Sequence, residues 1–308
     1  MSMSPAILQP VQDGQCPTFL TIGHVTRDLL PGDAFTLGGT VTFAALTASQ
    51  LGLVSALVTC ADEALLAQLS TLLPQIGLAV RSTPTTTAFE NRYNDGGFRV
   101  QYLRARATHL ESADIPPTWL AAPIILLGPL AQEIPLALVQ TLPRQPGSLL
   151  AATPQGWLRR WDATDGRVWP TPWESAEEML PLLDVLILSH DDLLPFAAGK
   201  RDAADAMLAA WSMRVPLLVA TDGRHGATLF ERGVTTRFAP YPATEVDPTG
   251  AGDVFAAAFL TYLYQHSDPH TAMNFANCVA SLSIEHAGSS GIPTHEEIQA
   301  RLIPLARG

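Results

Sequence analysis

Short apolar runs of strand-forming residues alternate along this chain with longer runs of helical periodicity, and this alternation limits the folds open to it. Pro123–Gly128 and Asp184–Ser189 are examples of the strand-like runs, and Thr40–Leu51 and Asp253–Gln265 of the helical ones. Such alternation is typical of a mostly parallel sheet covered by helices. With 308 residues, the chain can also bury a sizeable core. The sequence therefore predicts an α/β protein.

One polar segment departs from this pattern and predicts an antiparallel hairpin. Thr86–Tyr93 and Phe98–Leu103 are joined by Asn94-Asp95-Gly96-Gly97, a sequence suited to a tight turn. The segment carries several arginines and amides, which suit the core of a parallel sheet poorly. We therefore expect a small lid that projects over a site.

Composition excludes several classes of function. The net charge of −11 and the pI near 5.1 argue against nucleic acid or an anionic membrane as a partner. No apolar run approaches the ~20 residues that span a bilayer, and no signal peptide is evident, so a cytoplasmic location is expected. Lys200 is the only lysine, which excludes a P-loop lysine. Three widely spaced cysteines without a C-x-x-C motif predict reduced thiols.

The segment Asp247-Pro248-Thr249-Gly250-Ala251-Gly252-Asp253 precedes an apolar run that predicts a buried helix. This layout directs the backbone N–H groups of Gly250, Ala251 and Gly252, together with the positive end of a helix dipole, toward one point that attracts an anion. Asp253 in the first turn is an ionised carboxylate beside that point. The alternative is a simple helix start, with Asp253 as a cap and glycines that only form the turn.

The full seven-residue string resembles the signature of the ribokinase-like, or PfkB, carbohydrate kinases, which phosphorylate hydroxyls of sugars, polyols and nucleosides. This resemblance implies a three-layer α/β/α fold with a mostly parallel central sheet and a β lid. It implies one domain over residues 1–308, with lid segments at about 26–37 and 84–106. It also implies ATP and Mg²⁺ as cofactors, with Asp253 as the general base.

Further matches to the family suggest which residues bind the acceptor molecule. Asp28, just past the first strand, resembles the family acid that accepts hydrogen bonds from substrate hydroxyls, although it could be an ordinary loop acid. Gly38 and Gly39 resemble the family's Gly pair. Phe43 stands where the family usually has Asn, and an aromatic residue there resembles a subgroup that includes archaeal inositol kinases. On the lid, Asn91 and Arg104 are candidate substrate contacts, but lid arginines could equally cover ATP or stay solvated.

The donor side is implied by weaker matches. Ser189 and Asp192 resemble a shortened form of the family's Asn-x-x-Glu, with Asp192 binding Mg²⁺ through water or only capping a helix. The predicted ATP-binding residues are Ser189, Asp192, Thr221, Gly223, Gly226 and Asn277. A monovalent cation, K⁺ by preference, is expected near Asp247, Thr249, Ser289 and Gly291.

The prediction is thus an ATP-dependent kinase acting on a sugar or an inositol-like polyol. A nucleoside kinase of the same fold is one alternative, and a catalytically silent binding regulator is another. An NAD-dependent oxidoreductase would need G-x-G-x-x-G after the first strand, and a serine hydrolase would need G-x-S-x-G, and neither motif is present. Exposed lid strands could also pair two subunits into a homodimer.

Overall fold

The computed structural model describes residues 6–11, 16–32, 34–93 and 99–302. Sixteen strands occur within these residues. They are β1 (Ala6–Gln9), β2 (Phe19–Ile22), β3 (Thr26–Leu29), β4 (Phe35–Gly38), β5 (Ser55–Ala61), β6 (Gly77–Ser82), β7 (Thr87–Tyr93), β8 (Arg99–Ala105), β9 (Ile124–Leu127), β10 (Leu149–Ala152), β11 (Arg159–Trp161), β12 (Val168–Pro170), β13 (Val185–Ser189), β14 (Leu217–Thr221), β15 (Ala227–Glu231) and β16 (Val234–Phe238).

The same ranges contain nine α-helices, of which the two longest lie near the C-terminal end. They are α1 (Thr40–Gln50), α2 (Glu63–Leu72), α3 (Leu136–Thr141), α4 (Ala176–Met179), α5 (His190–Leu193), α6 (Arg201–Ser212), α7 (Ala251–His266), α8 (Pro269–Ser283) and α9 (His295–Leu302). Among the described residues, none of these helices is both long and apolar enough to cross a membrane.

Ten strands form the central sheet in the order β1-β6-β5-β2-β9-β10-β13-β14-β15-β16. In this spatial order, each pair of neighbours from β6 through β5, β2, β9, β10 and β13 to β14 is parallel. Strand β1 at one edge and strands β15 and β16 at the other are antiparallel to their neighbours. The central strands are continuous runs of buried aliphatic residues, as expected where both faces of a sheet are covered. The predicted mostly parallel sheet is therefore confirmed.

Alternate side chains of each central strand enter different cores. In β9, Ile124 and Leu126 pack with α1, α7 and α8, whereas Ile125 and Leu127 pack with α3 to α6 on the opposite face. A third cluster places α1 and α2 over β5 and β6. Helices thus cover both faces, which is the predicted three-layer α/β/α arrangement.

Helix α7 is the element that positions the predicted anion site. Its apolar residues from Val254 to Thr261 are all buried, so the helix lies inside the molecule rather than on its surface. Gly250 caps it with φ of 79°, and it ends at Ser267 with φ of 56°. Gly250 lies against Phe43 in the first turn of α1, and α1 itself begins against Gly128 just after β9. Helix α7 therefore begins at the carboxyl edge of the sheet, where open α/β sheets bind ligands.

The lid is a separate four-stranded sheet in the order β4-β3-β7-β8. These strands fall within the predicted lid segments, and the turn predicted at residues 94–97 lies outside the described residues. Residues paired across neighbouring strands have their side chains on the same face of the sheet. Asp28 therefore shares a face with its partner Phe89, and Asn91 shares a face with its partner Gln101. Phe89 and Leu103 pack on Leu130 of the main body, so this is the inner face.

The stretch between Trp157 and Trp173 contains the short hairpin β11–β12. This hairpin touches the lid: the Leu103 N–H donates to the Gly166 carbonyl at 2.8 Å, and Tyr102 forms a bridge with Arg167. Gly166 has φ of 79°, and a Cβ there would collide with the Leu103 carbonyl oxygen. Close approach of the two backbones therefore requires glycine.

Candidate active site

The ends of strands β2 and β9 and the start of helix α1 meet at the carboxyl edge of the sheet. A Cβ on Gly23, after β2, would lie 2.5 Å from the Gly128 carbonyl oxygen. A Cβ on Gly128, after β9, would lie 2.5 Å from the Thr40 methyl group at the start of α1. The glycines therefore let β2, β9 and α1 converge, and α1 in turn packs on α7.

The loop before α7 packs against the aromatic ring of Phe43. A Cβ on Gly250 would lie 2.5 Å from the Phe43 ring, and the φ of 79° is also unfavourable for other residues. Gly252, by contrast, is exposed and has no atom within 4 Å of its Cβ position. One predicted donor differs from expectation: the Ala251 N–H already donates to the Pro248 carbonyl at 3.2 Å. Within the described residues, the Gly250 and Gly252 amides have no such partner.

Asp253 lies in the first turn of α7 and is partly exposed. Desolvation of its carboxyl group raises the pKa to about 6. A hydrogen bond from the Thr40 hydroxyl and the positive charge of Arg159 act in the opposite direction, whereas Asp192 and Asp28 raise the pKa further. A carboxyl group that titrates near neutral pH in a cleft is a candidate for proton transfer.

Arg159, Thr40 and Gln155 face this carboxylate or its neighbour and were not among the residues predicted from sequence. Arg159 is the first residue of β11, and its charge lowers the pKa of both Asp192 and Asp253. Gln155 also lowers the pKa of Asp192, through its side-chain amide. The one available signal was position, because both residues closely follow β10 at the carboxyl edge of the sheet.

Of the two roles that the sequence left open for Asp192, the structure shows the helix cap, and the metal role stays a prediction. Its Oδ2 accepts from the Ser189 N–H at 3.1 Å, and the Ser189 hydroxyl accepts from the Asp191 N–H, so the two residues cap α5. Burial also raises the pKa of Asp192, and Arg159 opposes that rise. Asp192 therefore caps a helix while its charge acts on the Asp253 carboxyl group.

The residues predicted to bind the acceptor include Asp28 and Asn91, which lie on the inner face of the lid. Asp28 is partly buried, and its Oδ1 accepts from the Thr26 hydroxyl at 3.0 Å. Gly38 stands where any Cβ would collide with the Asp28 carboxylate, and Gly39 caps α1 with φ of 99°. Asn91 Oδ1 accepts from Gln101 Nε2 at 3.1 Å on the same face. Carboxylate and carboxamide groups thus line this face.

Two predicted substrate contacts lie elsewhere. Phe43 is 4% exposed and packs in the core beneath Gly250, because position 43 faces α7 rather than the cleft. Arg104 lies on the outer face of the lid, since it alternates with Leu103 along β8. It donates to Glu90 at 2.7 Å and to the Asp165 carbonyl at 2.8 Å. Neither residue is brought to the candidate site.

The predicted nucleotide residues lie around the ends of β14 and β16. The Thr221 hydroxyl donates to the Leu188 carbonyl at 3.3 Å. Gly223 and Gly226 have φ of 49° and 90°, and Gly226 packs against the backbone of Phe238. Asn277 is buried in α8, and its amide donates to the Ala239 carbonyl at 3.3 Å. Asn277 therefore ties α8 to the segment after β16.

The predicted monovalent-cation residues are also brought near one another. Asp247 Oδ2 accepts from the Gly288 N–H at 3.0 Å, and Oδ1 accepts from the Thr249 N–H at 3.0 Å. These bonds hold the turn that contains Ser289 and Gly291 beside the loop before α7. Among the described residues, no group of three or more His, Cys, Asp or Glu side chains could hold a metal ion by itself.

Comparison with known proteins finds a family model that matches part of this chain, and a set of relatives. The model of the pfkB family carbohydrate kinases matches residues 162–295. The probable fructokinase-5 of Arabidopsis thaliana is 27% identical over 161 residues, 50% of this chain and 48% of the relative. The ribokinase of Bacillus subtilis is 37% identical over 86 residues, 28% of this chain and 29% of the relative. The chain thus spans about half, or less, of the length of these curated relatives.

A longer match is the cytidine kinase of Thermococcus kodakarensis, 26% identical over 258 residues, 78% of this chain and 86% of the relative. Solved structures resemble the whole fold. A sulfate complex of a pyrophosphate-dependent kinase in the ribokinase family has a TM-score of 0.78 at 24% identity, covering 92% of this chain and 100% of that chain. The complex of such a kinase with a pyrophosphate analog and myo-inositol has a TM-score of 0.77 at 24% identity, with the same coverage.

The resemblance to the ribokinase-like, or PfkB, family is therefore confirmed, and so is the ribokinase-like fold. At these identities the solved structures speak for the fold alone.

Proposed function

We propose that this chain, with its ribokinase-like fold and its pfkB kinase match, is a phosphotransferase that moves a terminal phosphoryl group onto a hydroxyl of a small molecule. The observation that carries the proposal is the placement of Asp253. Its carboxyl group lies in the first turn of α7, near the amides of Gly250 and Gly252, which have no hydrogen-bond partner among the described residues, and its pKa is about 6. At neutral pH most of these carboxyl groups are ionised and able to accept a proton.

In the proposed reaction, Asp253 accepts the proton of the acceptor hydroxyl as the oxygen attacks the terminal phosphorus. The bond from that phosphorus to the bridging oxygen of the donor breaks, and the rest of the donor leaves as ADP or as phosphate. The Gly250 and Gly252 amides and the α7 dipole stabilise the negative charge on the phosphoryl oxygens. Arg159 adds a full positive charge on the same side, since it already acts on Asp192 and Asp253. The lid covers the acceptor and excludes water.

The residues present also fit a divalent metal that arrives with the donor phosphates. Asp192 raises the pKa of Asp253, and a cation near both carboxylates would relieve that repulsion. Mg²⁺ commonly binds through one or two carboxylates, water and substrate phosphates rather than in an all-protein cage. Asp192 would hold it through water, and the metal would neutralise charge on the phosphates. K⁺ near Asp247, Thr249, Ser289 and Gly291 is part of the same proposal.

A polyol such as an inositol is the acceptor that the lid supports best. Asp28 can accept from two neighbouring hydroxyls, and, as far as the described residues show, the Asn91–Gln101 pair keeps an N–H donor and a carbonyl acceptor beyond its own bond. The likeness to a kinase solved with myo-inositol favours the same class. A nucleoside acceptor is favoured by the match to a cytidine kinase, but Phe43 is buried and does not offer a ring for a base to stack on.

The donor is proposed to be ATP, and pyrophosphate is a second candidate. Asn277 is the residue predicted to lie beside the adenine, and its side-chain amide already donates a hydrogen bond to the Ala239 carbonyl. It therefore has fewer hydrogen-bonding groups left for an adenine base. Two neighbours in fold are described as pyrophosphate-dependent kinases. Both donors present the same terminal phosphoryl group to Asp253.

The test is a matrix of ATP and pyrophosphate against polyols, sugars and nucleosides, with phosphorylated product measured by mass. Asp253→Asn should lower turnover by about 10²–10⁴-fold and leave the fold intact. Asp202→Asn is the matched control, because Asp202 is also a first-turn acid, on the exposed surface of α6. Wild-type turnover in Asp253→Asn would exclude this base. Tight ligand binding without turnover would favour the silent regulator instead.

A further inference from the structure

The chain crosses between the main body and the lid through four segments, and these segments meet around His24. His24 lies in the first segment, just before β3, and is fully buried. Its ring lies between Thr87, which begins β7, and Thr108, which follows β8. The remaining crossing is at Gly39, where a Cβ would lie 2.6 Å from the His24 carbonyl oxygen. These segments, residues 23–25, 39, 83–87 and 106–108, form the lid root.

The hydrogen bonds of the His24 ring fix which nitrogen carries the proton. Nε2 lies 2.9 Å from the Thr108 carbonyl oxygen, and a carbonyl only accepts, so Nε2 is the donor. Nδ1 lies 2.7 Å from the Thr87 hydroxyl group. That hydroxyl group accepts from the Ala107 N–H at 3.0 Å and donates to Nδ1. The neutral imidazole with its proton on Nε2 therefore satisfies both ring nitrogens and the hydroxyl group.

The surroundings of the ring favour this neutral form. Burial lowers the pKa of His24, and Arg106 and His109 act in the same direction. The Glu133 carboxylate and the bond to Thr108 oppose this shift. Glu133 is itself fully buried, and its Oε1 accepts from the His24 backbone N–H at 3.0 Å. The backbone of His24 is thus held by the main body, while its ring binds segments that enter and leave the lid.

We propose that His24 is a positioning residue, whose neutral ring joins the segments of the lid root and thereby sets the place of Asp28 and Asn91 over the acceptor. The inference rests on the proposed function, in which these two side chains bind the acceptor. Asp28 lies four residues after His24, and Asn91 lies four residues after Thr87. Strands β3 and β7, which carry them, pair in parallel and move as one sheet. A shift at the ring should therefore change acceptor binding and leave donor binding unchanged.

The kinetic test compares Thr87→Val, which removes the hydroxyl group between the His24 ring and the Ala107 amide, with Thr87→Ser, which keeps it. The KM for the acceptor should rise about tenfold in Thr87→Val, because fewer molecules hold the lid in its binding position. The KM for the donor should stay unchanged, and Thr87→Ser should resemble the wild type.

Thr47→Val is the matched control, because Thr47 is also fully buried and its hydroxyl group donates to the Phe43 carbonyl within α1. It should leave the KM for the acceptor unchanged. An unchanged acceptor KM in Thr87→Val, an equal rise for donor and acceptor, or the same rise in Thr47→Val would overturn the proposal.

Substitutions of His24 itself separate the two ring bonds. His24→Gln keeps a donor near the place of Nε2, His24→Asn keeps an acceptor near the place of Nδ1, and His24→Leu keeps neither. The KM for the acceptor should rise most in His24→Leu and less in the other two variants. An equal rise in all three would show that the ring hydrogen bonds do not set the lid.

A further measurement needs no enzymatic activity. The Ala107 amide should exchange with solvent about tenfold faster in Thr87→Val and in His24→Leu. Combining the two substitutions should add little, because both break one chain of bonds. Unchanged exchange, or fully additive effects, would overturn the proposal. If no donor and acceptor pair is turned over, the proposed function fails, and exchange at Ala107 still decides whether His24 joins the segments of the lid root.

Discussion

At the scale of single residues, two glycines only two positions apart have opposite physical roles. Gly250 is held by its backbone angle and by the Phe43 ring, so it is required by the fold. Gly252 has ordinary angles and open space around it, so the fold would accept a methyl group there. Its small size therefore matters only for what binds outside.

We expect Gly252→Ala to separate stability from activity. Alanine is a better helix former than glycine, so the free energy of unfolding should stay unchanged or rise by up to ~1 kcal/mol. The added methyl group would project toward the phosphoryl site, and turnover should fall by roughly 10²-fold, as when one oxyanion donor is lost. Thermal unfolding and steady-state kinetics on one preparation measure both effects. Full activity in this variant would contradict the anion-site assignment.

Gly250→Ala should instead lower stability by about 2–4 kcal/mol, because strain at positive φ adds to overpacking against Phe43. Gly233→Ala is its matched control, with φ of 80° and no neighbour within 4 Å of the Cβ position. It should show the strain alone, about 1–2 kcal/mol. Equal destabilisation of the two variants in urea would mean that Phe43 is not a constraint on this loop.

At the scale of elements, the lid is bonded to the main body of the protein at two separate places. Arg27 of β3 makes a bidentate ion pair with Asp62, which caps α2 and also accepts from Thr86. Hairpin β11–β12 bonds the other side of the lid through Leu103 and Gly166. Two separate elements of the main body therefore hold this small sheet.

We expect Gly166→Ala to break the link between the lid and the hairpin. The new Cβ would collide with the Leu103 carbonyl, so the Leu103 amide should exchange with solvent at least tenfold faster, and kcat should fall. Gly147→Ala is the matched control, with φ of 83° and open space around the Cβ position. Hydrogen exchange followed by mass spectrometry measures the difference. Unchanged protection at Leu103 would show that the contact does not hold the lid.

At the scale of the whole molecule, Asp253 should leave a signature in the dependence of stability on pH. Its pKa of about 6 in the folded state lies above its ordinary value of 3.8, so the folded state binds more protons between these values. Its contribution to stability is full below pH 3.8 and is lost as the pH rises through 6.

The wild type should therefore lose roughly 2–3 kcal/mol relative to Asp253→Asn between pH 4 and pH 8. Asp62 acts in the other direction, since the Arg27 guanidinium lowers its pKa, and its contribution is lost only as the pH falls below about 4. Urea unfolding of both proteins across this range gives the difference. Parallel curves for the two proteins would show that the Asp253 carboxyl group is not desolvated.

The sequence predicted central strands such as β9 and β13, the lid hairpin β7–β8 and the loop before α7, because each depends on local pattern. It did not predict Thr40, Gln155 or Arg159, because these residues come from segments that only the sheet topology brings to Asp253. Phe43 and Arg104 fail for a related reason. Which face a residue occupies depends on register and on neighbouring helices, and neither is visible in a short motif.

The bond between Leu103 and Gly166 has one more consequence, for the order of events during a catalytic cycle. Arg159 is the first residue of the hairpin that is hydrogen-bonded to the lid. An outward movement of the lid would therefore displace the segment that carries the Arg159 guanidinium group. Under the proposed function, water that enters an open site would then meet a phosphoryl donor without the Arg159 charge in its closed position, and hydrolysis of the donor would be slowed.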